Sequence, residues 1–301
     1  MSAATEATLA ATELEELSDQ RSFTEKCGNL ARKNPLGAFG FGIAVVMVFA
    51  AVFADVITVH SPIDIEFESM LVSPNLDYLL GTDQLGRDIF ARIVYGARTA
   101  LLVGITASVI GAFIGLVLGV ASAYFGGTFD LLFQRVMDVF MAFPLIILAL
   151  AIVSIFGGGI DKVIIAITVP FIPRCARVVR SNALAIREIP YVDAARAMGF
   201  SHSRIILRHM VPNVMAPFLI MITAFVGQAI LTEASLSYLG MGVQEPTPAW
   251  GLMLQGGAEE YAESAPWVPI FPGLAITLAV FGFNLFGDSV RDTLDPRLRS
   301  Q

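Results

Sequence analysis

The chain has 301 residues, of which 55% are hydrophobic and only 15% charged, with 22 Phe and 26 Gly. Soluble domains carry roughly 25% charged residues, so this composition excludes an ordinary soluble protein and defines a membrane protein. A net charge of −7, with Lys and Arg scattered among apolar runs, excludes a nucleic-acid binder, which needs clustered cations.

The first twenty residues, MSAATEATLAATELEELSDQ, lack the positive n-region and apolar h-region of a signal peptide, so no cleavage is expected. The segment is acidic, with a candidate capping box from Thr12 to Glu15 and too few apolar residues to build a core. It reads as a solvated cytoplasmic tail over 1–34, ahead of a transmembrane domain over 35–301. Cys27 and Cys175 lie too far apart in sequence to read as a CxxC metal or redox motif, and two cysteines make no disulfide framework.

Six apolar runs approach the roughly 20 residues needed to cross a bilayer: 36–59, 100–125, 136–156, 163–179, 214–238 and 268–286. The fourth is the weakest, because Pro170, Pro173 and Arg174 interrupt it. With the N-terminus inside, the inner segments hold Arg21, Lys26, Arg32, Lys33, Arg135, the seven arginines from Arg174 to Arg208, and Arg291, Arg297 and Arg299. The outer segments hold only Arg87, Arg92, Arg98 and Lys162, together with acids such as Asp64, Glu66, Glu68, Glu259, Glu260 and Glu263. The positive-inside rule therefore places both termini in the cytoplasm. It makes 60–98 and 241–266 external and 181–212 the longest inner loop.

In the first external segment, Asp83 with Arg87 and Asp88 with Arg92 are acid-to-base pairs at i, i+4, each stabilising a helix by roughly 0.2–0.5 kcal/mol. A solvated external helix is expected there. Within the second run, Gly111, Gly115 and Gly119 form a ridge that permits close approach of a neighbouring helix. Asp55, Asp138, Glu233 and Asp288 are ionisable groups at or near the runs, where charge is costly in hydrocarbon. Glu233, beside Thr232 and just inside the external end of the fifth run, reads either as part of a polar substrate pathway or as a helix-end acid.

The inner loop contains YVDAARAMGFSHSRIILRHMVPN, residues 191–213. Pro190 suits a first helical turn, Asp193 sits near its positive dipole end, and Gly199 stands where a left-handed stop is cheap. Ser201 can cap a second helical stretch that Val211–Pro212 ends. The small face of Ala194, Ala195 and Ala197 and the charges of Arg196, Arg204 and Arg208 suit a docking knob for another protein. An amphipathic helix lying on anionic lipid fits the same pattern.

The spacing acid-Ala-Ala, three residues, Gly, then Pro212 after a further gap resembles the cytoplasmic signature of ABC importer permeases. Here it is carried by Asp193, Ala194, Ala195, Gly199 and Pro212, with Asp in place of the usual Glu and with His209 where the peptide-importing branch commonly has His. GTDQLGRDIFARIVYGARTALLVG (81–104), EASLSYLGMGVQEPTPAWG (233–251) and FGDSVRDTLDPRLR (286–299) are similar to the second permease subunit of the dipeptide, oligopeptide and nickel importers. The resemblance implies an all-α integral membrane protein of the type I importer permease fold, multi-pass in the cytoplasmic membrane, with six transmembrane helices. It implies coupling to ATPases through Asp193, Ala194, Ala195, Gly199, Arg204, His209 and Pro212. The implied partners are a homologous second permease subunit in a heterodimer, two ABC ATPase subunits and an extracytoplasmic substrate-binding protein.

No GxxxxGK[ST], HExxH or GxSxG motif occurs, so the chain is read as a translocation subunit and not an enzyme. It needs no cofactor of its own, and the resemblance places ATP and Mg in partner ATPases. Peptides are the expected cargo, with nickel complexes as the alternative within the family. A secondary transporter, suggested by the proline-broken fourth run, is the alternative of a different class.

Overall fold

The computed structural model describes residues 34–257 and 260–294, so all but the last residue of the tail expected over 1–34, with Thr12, Glu15 and Cys27, lies outside the described residues, as do Glu259, Arg297 and Arg299. Among the described residues the chain is helical throughout, with no β-strand. Helix α1 (Pro35–Val52) opens with proline at its first turn and exposes apolar side chains around most of its circumference, including Phe39, Val46 and Phe49. An apolar surface of that kind is stable against lipid, not water. A single turn, α2 (Ala54–Ile57), leads to an irregular segment over 58–88.

Helix α3 (Ile89–Phe125) has 37 residues, which at 1.5 Å per residue is about 55 Å, well beyond the hydrocarbon thickness. It starts eleven residues before the apolar run at 100 because Asp88 caps it, accepting from the Phe90 amide at 3.0 Å. It ends at Gly126, whose φ of +63° is the left-handed region that glycine tolerates.

The run expected as one span at 136–156 is instead two helices, α4 (Gly127–Met141) and α5 (Leu145–Phe156), meeting at 88°. Pro144 lacks an amide donor and pushes Phe143 out of the helical region, so the ladder cannot continue. Helix α6 (Ile160–Arg187) does the opposite and runs unbroken through Pro170 and Pro173. What holds it is the glycine ridge of α3. A Cβ at Gly115 would lie 2.6 Å from Cys175 Cβ, and one at Gly119 would lie 2.6 Å from the Ala176 carbonyl oxygen. The two helices therefore meet backbone to backbone, as the ridge predicts. At the looser end, a Cβ at Gly111 would sit 2.9 Å from Phe171 Cβ. Gly111→Ala should overpack this crossing by about 1–2 kcal/mol, lowering the thermal midpoint of the detergent-solubilised protein by a few degrees. An unchanged midpoint would show that the ridge is not under packing pressure.

The chain then forms α7 (Pro190–Ala197) and α8 (His202–Ile205), a wide turn at Ile206–Met210, a tight turn at Val211–Val214, and α9 (Met215–Tyr238). Pro212 supplies no amide to the carbonyl four residues earlier, which accounts for the irregular ladder just before α9. Helices α10 (Trp250–Gly257) and α11 (Trp267–Leu294) complete the fold. Among the described residues, four helical runs are long and apolar enough to cross a membrane, namely α1, α3, His202–Tyr238 and α11, or five if the bent pair α4–α5 counts as one.

Two apolar cores result. One joins α3, α5, α6 and α9 and extends into the α7–α8 segment through Val192, Ala195, Ile205 and Met210. The other joins α1, α3, α9, α10 and α11 around Trp250, Met253 and Phe283. Helices α3 and α9 belong to both and so tie the two cores together.

Candidate functional site

The segment over 190–214 folds as its local signals dictate. Pro190 begins α7, and Gly199 turns the chain at φ +77°. Ser201 caps α8, its Oγ accepting from the Arg204 amide at 3.4 Å. The two arms form an elbow whose ends are tied together: Asn213 Nδ2 donates to the His209 carbonyl at 2.7 Å and to Tyr191 Oη at 3.2 Å. Arg204 lies over the Phe200 ring at 4.1 Å, and Arg196 pairs with Asp193 at 3.1 Å.

The structure brings the expected site residues into one elbow but divides them between its two faces. Asp193, Ala194, Gly199, Arg204 and Pro212 are exposed. Ala195 is only 2% exposed and packs with Val192 into the protein's own core, so it shapes the elbow from within instead of meeting a partner surface. His209 is half-buried between the rings of Tyr191 and Phe200, with its Nε2 buried and without a hydrogen-bond partner.

A contact invisible in the sequence fastens the elbow to α3. Tyr124, on the last turn of α3, places its hydroxyl 2.7 Å from His202 Nδ1, and Arg196 lies 5.3 Å from the Tyr124 ring centroid. These residues, with Phe125, Arg187 and Glu188, border a hollow of about 390 Å³ beside the elbow.

At the other end of α3 the expected solvated helix is overturned. Residues 81–88 form turns, and Asp83, Arg87, Asp88 and Arg92 are nearly fully buried. Arg87 does pair with Asp83, at 2.7 Å, and also reaches Glu245 at 3.0 Å. Arg92 is completely buried; its Nε lies 3.8 Å from Asp83, too far for a hydrogen bond, and its Nη2 lies 3.5 Å from Glu245. Asp88 does not pair with Arg92; it faces His60 at 3.4 Å, and burial holds its carboxyl above the ordinary aspartate range. Trp250 Nε1 donates to the Ile93 carbonyl at 2.9 Å and Thr99 Oγ1 to the Pro248 carbonyl at 2.8 Å, which fixes the start of α10 and the loop before it against the first turns of α3. Glu245 joins the cluster from a distant segment, a tertiary contact that periodicity could not supply.

Thr232 and Glu233 are 3% and 1% exposed. Thr232 donates to the Gln228 carbonyl at 2.7 Å, and Glu233 accepts from Ser237 Oγ at 2.7 Å. Both side chains are absorbed by the packing of α9 in this conformation. Near the first span's end, Asp55 is paired with Arg98 at 2.8 Å. Asp138 pairs with Arg177.

A helical bundle of apolar spans, with a buried ionic cluster at one end and a fastened helical elbow at the other, defines a multi-pass membrane protein. Residues 111–300 match the family model described as binding-protein-dependent transport system inner membrane component. The chain is 45% identical over 262 residues, 87% of its length and 88% of the relative's, to a Brucella abortus protein bearing a peptide transport system permease name. It is 43% identical over 270 residues, covering 89% of this chain and 88% of the other, to the dipeptide transport system permease protein of Alkalihalophilus pseudofirmus. Its fold is similar to a chain of the inward-facing MetNI methionine ABC transporter, with a TM-score of 0.56 at 20% identity over 69% of this chain and 98% of that one. The chain belongs to the family of binding-protein-dependent transport system inner membrane components.

Proposed function

We propose that this chain is one of two permease subunits of an importer that moves peptides across the cytoplasmic membrane, powered by two separate ABC ATPase subunits and supplied by an extracytoplasmic binding protein. The peptide and dipeptide names of its relatives support the cargo. Family membership leaves the ion-coupled alternative without support. Six spans follow if α4–α5 forms one bent span and α6 another, with both termini cytoplasmic.

The observation that carries the coupling role is the direction in which the elbow faces. A helix lying on lipid needs a free apolar face, but the elbow's Val192, Ala195, Ile205 and Met210 are committed to the protein's own core. Outward it presents Asp193, Ala194, Arg204 and Arg208 interleaved with the exposed apolar side chains of Tyr191, Met198 and Leu207, a mixed polar and apolar knob suited to a protein groove. Pressed by an ATPase, it would move α6 and α9, to which it is continuous, and α3 through Tyr124.

The test is to solubilise native membranes gently and purify the chain through a C-terminal tag. A sister permease and ATPase subunits should co-purify in fixed proportion, and Asp193→Lys combined with Gly199→Val should lose the ATPases while keeping the sister. A chain that purifies alone in several mild detergents would overturn the reading.

A further inference from the structure

Helix α6 carries three arginines at three-residue spacing. Arg177 is paired with Asp138 and Arg180 with Asp130, the latter at 2.5 Å. Arg174 differs from both. Among the described residues no carboxylate lies within ion-pair distance of it, and its one side-chain partner is neutral: Arg174 Nη1 donates to Gln228 Oε1 at 3.1 Å. The pair sits near the midpoint of both α6 and α9. One turn from each residue, Phe171 and Phe225 stack with centroids 4.2 Å apart and hold the two helices in register.

A cation at the middle of a membrane-spanning bundle is costly unless an anion answers it. Its side chain is only half-buried in the single chain, so the guanidinium remains open to such an anion. Gln228 orients the fork without neutralising it, leaving donors for bidentate recognition of a carboxylate. We infer that Arg174, positioned by Gln228, is the intramembrane recognition site for the substrate's carboxylate, the C-terminal group of a peptide. This rests on the importer reading above. It also extends that reading, because α6 and α9 are the two helices that flank the elbow: a push on the elbow shifts Arg174 relative to Gln228 and so changes the grip on the carboxylate as the subunit switches state.

The experiment uses the whole importer in proteoliposomes, with a mixed-sequence tripeptide pool and the same pool amidated at its C-terminus, each at a concentration that saturates the binding protein. Wild type should import the free-acid pool faster than the amide pool. Arg174→Gln should slow free-acid uptake about tenfold or more and leave amide uptake within about twofold, bringing the acid-to-amide ratio toward one. Arg174→Lys, which keeps charge but not the fork, should recover part of the preference. Equal loss of both substrates, with or without loss of the sister subunit on purification, would assign Arg174 to structure or to an inter-subunit ion pair and overturn the inference. So would an unchanged ratio. ATP-driven uptake of both pools in wild type separates these failures from failure of the importer reading, in which neither pool enters.

Discussion

Asp83→Ala should destabilise the protein by about 3 kcal/mol or more, because it removes the carboxylate that two buried arginines share and leaves their charge uncompensated. Arg87 keeps Glu245 at 3.0 Å, but Arg92, whose Nε makes no hydrogen bond and faces Asp83 at 3.8 Å, would keep only the 3.5 Å approach to Glu245 and the Pro62 carbonyl. Asp83 also accepts from the backbone amides of Leu85 and Arg87 at 2.8 and 3.0 Å, so the turn leading into α3 loosens as well. For a chain of this size the loss corresponds to roughly 6–12 °C in the apparent midpoint of thermal unfolding in detergent. Glu245→Gln, on the half-exposed side of the cluster, should lower it by much less. Equal effects from the two variants would mean that the cluster is solvated and not a buried lock.

The position of that cluster shows where sequence reading stops. Arg87 and Glu245 are 158 residues apart, and nothing in the periodicity around either one anticipates the other. Spacing pairs Asp83 with Arg87 correctly, but the pairing takes place on a buried turn and not on a solvated helix, since Trp267 reaches over to the Thr82 carbonyl and Glu245 closes on Arg87. Prolines misled in both directions for the same physical reason. Pro144 breaks the third apolar run because it supplies no amide and disfavours a helical Phe143, whereas Pro170 and Pro173 are held within α6 by the close crossing with α3. The elbow, by contrast, was legible residue by residue, because an opening proline, a left-handed glycine and a serine cap are local devices that act within a turn of themselves. Its attachment to Tyr124 was not, since a single tyrosine at a helix end carries no pattern.

Gly199→Val should reduce ATP-driven uptake at least tenfold while leaving the subunit inserted and associated with its sister. The reasoning separates backbone from packing. A Cβ at Gly199 would meet nothing within 4 Å, so a side chain there fits in space. The residue, however, sits at φ +77°, where a branched L-residue is strained by about 1–2 kcal/mol or more. The arms cannot relax freely, since Val192 and Ala195 on one side and Ile205 and Met210 on the other are locked in the core. The strain is relieved by opening the elbow angle, which moves Asp193 and Arg204 relative to each other on the exposed face proposed for docking. A groove matched to that face would lose its grip, and nucleotide-driven motion would no longer reach α6, α9 and α3. Gly199→Asn is the control, because asparagine tolerates the left-handed region and should retain most transport. Uptake by Gly199→Val at the wild-type rate would remove the elbow from the coupling path. Loss of uptake in both variants alike would point to the glycine's smallness instead of its backbone, against the open space around it.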